Sequence, residues 1–96
     1  MSIKTIFCDI DGTLTDKPQG MWGEPYLDRI RRLNEKAKEG WTIILWSGGG
    51  ADYARAFALK YSVPALCVSK PGIVVDDCPT IRPHLDIRSP EEFFSE

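Results

Sequence analysis

An apolar strand that stops in two acids one residue apart, Phe7-Cys8-Asp9-Ile10-Asp11-Gly12-Thr13-Leu14, limits this chain more than any other stretch. Side chains at i and i+2 of a strand share a face, so Asp9 and Asp11 point to the same side if the extended conformation persists. Gly12 then lets the backbone turn sharply. Two carboxylates side by side repel at pH 7, so the pair needs a cation or a shared proton. Asp-Gly is also a common turn, and strands often stop at acids. The length of the pattern, with strand, Asp-x-Asp, Gly, Thr and Leu in register, points to a site rather than to a turn alone.

The remaining chain alternates strand and helix signals. Residues 3–9, rich in β-branched and aromatic side chains, read as the central strand of a parallel sheet. Residues 15–23 carry Pro and Gly without periodicity and form a loop leaving the acid-bearing edge. Within it, Met21 and Trp22 serve either as a small lid or as a packing or dimerisation patch. A helix is predicted over 25–39, with Pro25 in its first turn, Tyr26, Leu27, Ile30, Leu33 and Ala37 on one stripe, Asp28 paired with Arg32, and Gly40 as terminator. Its further charges, Arg29 among them, read as a solvated face.

Residues 41–46 form a second buried strand that runs into Ser47-Gly48-Gly49-Gly50 and then a helix whose Ala54, Phe57, Ala58 and Tyr61 share a core-facing stripe. Glycines let backbone N–H groups approach an anion, and a helix N-terminus favours negative charge; a plain connection with nothing bound fits the same glycines. Short strands are predicted at 65–68 and 73–75, separated by Ser69-Lys70-Pro71-Gly72, and the second of them ends in Asp76-Asp77. Residues 85–87 suit a fifth, edge strand. Ser89-Pro90-Glu91-Glu92 is a capping box that opens a short terminal helix with Phe93 and Phe94. His84 stands beside a proline with no acid or nucleophile at a telling spacing and reads as a surface residue; Arg82 follows Asp76-Asp77 closely enough to touch a bound group, with a solvent contact as the simpler reading.

The 96 residues suit one domain, 1–96, near the lower end of what supports its own core. A net charge of −2 implies no electrostatic grip on nucleic acid or membrane, so an acidic substrate has to be held locally. No apolar run approaches spanning length and no leader pattern opens the chain, from which a cytoplasmic protein is expected. Cys8, Cys67 and Cys78 lack any CxxC or paired Cys/His spacing and read as reduced, mostly buried thiols.

Residues 7–14 resemble the first motif of the haloacid dehalogenase superfamily of phosphotransferases. Strand 41–46 ending in Ser47 resembles its second motif, and 73–77 its fourth; the likeness covers about residues 3 to 77. The resemblance implies a Rossmann-like three-layer α/β sandwich with a mostly parallel sheet of four or five strands and no cap domain, its site at the carboxyl ends of the strands. It implies a Mg²⁺-dependent phosphatase that hydrolyses phosphomonoesters through an aspartyl-phosphate: Asp9 as nucleophile, Asp11 as acid and then base, and Ser47, the Gly48 amide and Lys70 on the phosphate. The resemblance makes Asp9, Asp11, Asp76 and Asp77 the metal set. Neighbours on a strand alternate, so one of Asp76 and Asp77 binds the ion and the other orients water or Lys70.

The chain departs from the superfamily pattern after Lys70, which is normally followed by a helical crossover, whereas only Pro71 and Gly72 precede Ile73 here. A capless site is open. Open sites take phosphate on a macromolecule, such as a phosphoprotein or a nucleic-acid end, for which the charge lends no support, or they rely on a neighbouring copy of the chain to close over a small phosphorylated molecule. Two other classes stay open: a receiver-like module that accepts phosphate and holds it, and a degenerate phosphate-binding domain without turnover.

Overall fold

The computed structural model describes residues 3–17, 23–77 and 85–95. Its elements follow in the order β1 (Thr5–Asp9), α1 (Leu27–Lys38), β2 (Thr42–Ser47), α2 (Ala51–Tyr61), β3 (Ala65–Ser69) and α3 (Pro90–Phe94). The strands form one parallel sheet in the order β1-β2-β3. β2 is therefore the central strand of the described sheet and β1 lies at an edge, the reverse of the expectation for residues 3–9.

Register explains which side chains are buried. Cys8 pairs with Leu45 and Leu45 with Cys67, while Ile6 pairs with Ile43 and Ile43 with Ala65, so these rows share one face of the sheet. Ile30 and Leu33 of α1 and Ala54, Phe57 and Ala58 of α2 are buried with Cys8, Ile43 and Leu45 in a single cluster that also takes in Ile10, Leu14 and Val63. Both long helices thus cover the same face, as parallel βαβ units with the same crossover hand require. On the other face, Phe7 and Leu66 remain exposed.

The helix ends follow local chemistry. After α1, Gly40 takes φ +98°, its N–H reaches the Ala37 carbonyl and the Trp41 N–H reaches the Lys36 carbonyl. This is the paired bond pattern of a Schellman stop, which favours glycine at the left-handed position. α2 stops on Ser62 at φ 55° instead, a left-handed residue with no glycine signal to announce it. Ser89 caps α3 as expected: its hydroxyl accepts the Glu92 N–H and the Glu92 carboxylate accepts the Ser89 N–H, each at 3.2 Å.

Several expectations need revision. Pro25 precedes α1 and bridges Thr15, and Tyr26 and Leu27 are exposed rather than on the core stripe, because the helix begins two residues later than the apolar pattern suggests. Asp28 pairs with Arg31 at 3.2 Å, one position short of Arg32. Residues 73–75 and 85–87, expected as a fourth and a fifth strand, carry no strand, and Ile73, Val74 and Val75 are 85%, 64% and 94% exposed. Two residues after Lys70 are too few for a crossover to a parallel position, so apolar β-branched composition alone does not place 73–75 in the sheet. Met21, Trp22, Cys78, Arg82 and His84 lie outside the described residues.

Phe57 is fully buried whereas Leu59 is 78% exposed two positions along the same helix. Phe57→Ala is expected to cost about 3–5 kcal/mol in urea unfolding and Leu59→Ala less than about 0.5 kcal/mol. Comparable losses would contradict the orientation of α2.

Candidate active site

β1 stops at Asp9, and the chain then turns on one carbonyl. Ile10 O accepts the N–H groups of Thr13, Leu14 and Thr15 at 3.1, 2.8 and 3.2 Å, with Gly12 at φ +81° inside the turn. The extended conformation thus ends before Asp11, and Asp9 and Asp11 are related by a turn rather than by strand alternation. Ile10 and Leu14 are fully buried and anchor this turn to the core. The loop that follows is closed at its base: Asp16 N–H bonds Glu24 O at 3.1 Å, Tyr26 N–H bonds Leu14 O at 2.8 Å, and Asp16 Oδ1 accepts the Glu24 N–H at 2.9 Å.

The second strand end supplies the hub of the site. Ser47 is buried, and its carbonyl accepts the N–H groups of Gly50 at 3.2 Å and Lys70 at 3.0 Å. Its hydroxyl oxygen accepts the Gly49 N–H at 2.9 Å, which folds the glycine run over the strand end. Gly50 takes φ +106° directly before α2, a conformation that disfavours any other residue. Gly48 lies exposed between them.

Lys70 extends from this hub across the sheet. From the end of β3 to the end of β1 is two strand spacings, roughly 10 Å, and Lys70 Nζ closes it to 3.1 Å from Asp9 Oδ1. The other Asp9 oxygen, Oδ2, accepts the Thr13 hydroxyl at 3.0 Å. Both oxygens of the carboxylate are therefore oriented, one by a cation and one by the turn that follows it. The ion pair is partly exposed, so solvent screens it and its value is geometric more than energetic.

Two residues join the site that sequence reasoning did not pick out. Tyr53, in the first turn of α2, donates its hydroxyl to Asp11 Oδ1 at 2.6 Å. Burial first, then the bond to Asp11 and the charges of Asp11 and Asp9, push the Tyr53 phenol well above its ordinary range, so it remains a donor. The signal was its place: a tyrosine in the first turn of the helix that leaves the glycine run has to lie near the strand ends. Arg29, read as solvated, instead donates Nη1 to the Thr13 carbonyl at 2.8 Å while its guanidinium lies 4.4 Å from the Tyr26 ring and 5.4 Å from the Phe94 ring. It ties α3 to the turn that holds Asp9.

The structure thus brings Asp9, Thr13 and Lys70 together, with Ser47 bonded to the Lys70 backbone and Tyr53 on Asp11. It does not gather Asp76 and Asp77 with them: among the described residues no three His, Cys, Asp or Glu side chains are close enough to hold a metal ion. No described helix is long and apolar enough to cross a membrane. Compared with protein-family models, curated proteins and solved structures, the chain matches none.

Cys8, directly before Asp9, is buried and held as a neutral thiol. Burial first, then the negative charge of Asp9, push its thiol up to about 12 from an ordinary 9.0, against an opposing pull from Arg29. The folded state holds this proton more tightly than the unfolded one, so the stabilisation is complete below about pH 9 and lost as pH rises toward about 12. Between those limits the stability of the wild type should fall more steeply with pH than that of Cys8→Ala, as followed by alkaline unfolding. Parallel slopes would contradict a buried, protonated Cys8.

Proposed function

We propose that this chain is a phosphomonoester hydrolase that carries the phosphoryl group on Asp9, the activity implied by its resemblance to the haloacid dehalogenase superfamily. The observation that carries the reading is the 3.1 Å approach of Lys70 to Asp9. An anionic nucleophile that attacks an anionic phosphate meets repulsion from the start, and a fixed cation between them offsets it. Asp9 forms a bond to phosphorus as the bond to the leaving oxygen breaks, and Asp11 gives that oxygen its proton. Asp11 then takes a proton from water, which attacks the phosphorus, releases inorganic phosphate and restores Asp9. Ser47 is suited to a phosphate oxygen: its own oxygen already accepts from Gly49, which leaves the O–H as a donor, and the Gly48 amide follows it in the chain.

The donor set suits Mg²⁺ in kind, since hard carboxylate oxygens with water and phosphate filling the remaining positions are what this ion prefers. Asp9 and one of Asp76 and Asp77 would hold it, beside Asp11, whose carboxyl oxygens serve the proton transfer. When bound, the ion supplies charge neutralisation of the phosphate. The open strand ends favour phosphate on a macromolecule, or a small phosphorylated molecule closed over by a second copy of the chain.

A second reading draws on the ungathered Asp76 and Asp77: a module that accepts phosphate and holds it. The lifetime of the phosphorylated protein separates the two. For the hydrolase, release from an aryl phosphate should require Mg²⁺ and fall by at least a factor of about 1,000 in Asp9→Asn. Equal release from wild type and mutant would exclude Asp9 as nucleophile.

A further inference from the structure

We propose that Tyr53 is the positioning residue for Asp11, holding Asp11 Oδ1 from α2 so that Oδ2 is the oxygen that exchanges a proton with the leaving group; the assignment rests on the hydrolase reading. Two observations converge on it. The first is the 2.6 Å bond from the Tyr53 hydroxyl to Asp11 Oδ1. A carboxyl oxygen that accepts this bond is a poor place for the acid's own proton, so the proton resides on the other oxygen. Asp11 sits in a turn, beyond the end of β1, and strand pairing does not fix its side chain. An external hold is what a turn residue needs to act at one defined point.

The second observation concerns the root of the tyrosine. A Cβ added at Gly49 would lie 3.2 Å from Tyr53 Cγ and 3.3 Å from Ser47 Oγ, tighter than ordinary contact. The ring therefore packs against the glycine run that folds over Ser47, and its hydroxyl end reaches Asp11. One rigid side chain spans the distance between the phosphate-facing loop and the acid, so the position of Asp11 is set relative to Ser47 rather than relative to β1 alone. Positional errors of an ångström in an acid–base group are enough to slow catalysis greatly, and two χ angles leave a tyrosine little freedom to introduce them.

The experiment compares kcat/KM, which ends at the departure of the leaving group, and its kcat and KM components, on an alkyl phosphate, whose departure needs a proton, and on a nitrophenyl phosphate, whose departure does not. Tyr53→Phe, which keeps the ring, should lower kcat/KM by about tenfold on the alkyl phosphate, through kcat, and by less than about twofold on the nitrophenyl phosphate. In an Asp11→Asn background, Tyr53→Phe should add less than about twofold on either substrate, since both changes remove one function. Equal loss on both substrates, a change confined to KM, or full additivity with Asp11→Asn would overturn the assignment while leaving the hydrolase intact. If the wild type shows no Asp9-dependent release from either substrate, the hydrolase reading fails and the role of Tyr53 fails with it.

Discussion

β2 takes parallel partners on both of its edges, so three strand ends meet at its carboxyl terminus, and the Ser47 carbonyl is the point where they are joined. That oxygen accepts one N–H from the glycine run and another from Lys70. Parallel register then carries position outward: Ser47 pairs with Ser69 on one side and Trp46 with Asp9 on the other. Lys70 can reach Asp9 because its backbone is held at this hub and its side chain has only β2 to cross. Removing either half of the pairing would leave the same residues in the chain with no common edge to share.

The turn after β1 does comparable work for the acids. Three N–H groups on the Ile10 carbonyl, with Ile10 and Leu14 buried below, fix a rigid corner on which Thr13 meets Asp9. Arg29 fastens the outer side of that corner and stacks on Tyr26 and Phe94, which gives the terminal helix α3 a physical connection to the site. Tyr53 fastens the inner side through Asp11. The site is therefore built from a sheet edge and two helices: Tyr53 of α2 holds the Asp11 carboxyl, and Arg29 of α1 holds the Thr13 carbonyl.

What could be read in the sequence was whatever local pattern determines. The stripe of Ala54, Phe57 and Ala58, the capping box at Ser89, the glycine stop at Gly40 and the apolar strands around Asp9 and Ser47 all follow from residue spacing, and the structure places them accordingly. Tyr53 and Arg29 escaped because their partners are remote in the chain, 42 and 16 residues away, and no periodicity encodes such pairs. Residues 73–75 misled for the opposite reason. Their composition is that of a strand, yet membership of a sheet depends on the length of the connection that delivers them, and Pro71-Gly72 is short. The end of α2 at Ser62 was hidden because serine rarely takes the left-handed conformation.

Whether Asp9 carries the phosphoryl group is read by quenching the reacting protein, reducing any acyl phosphate with borohydride and locating the product by peptide mass spectrometry. Position 9, and no other aspartate, should convert to the reduced homoserine form, and only with the phosphorylated substrate present. Phosphate release continuing with position 9 unmodified, or the reduced residue appearing at Asp11, would contradict it.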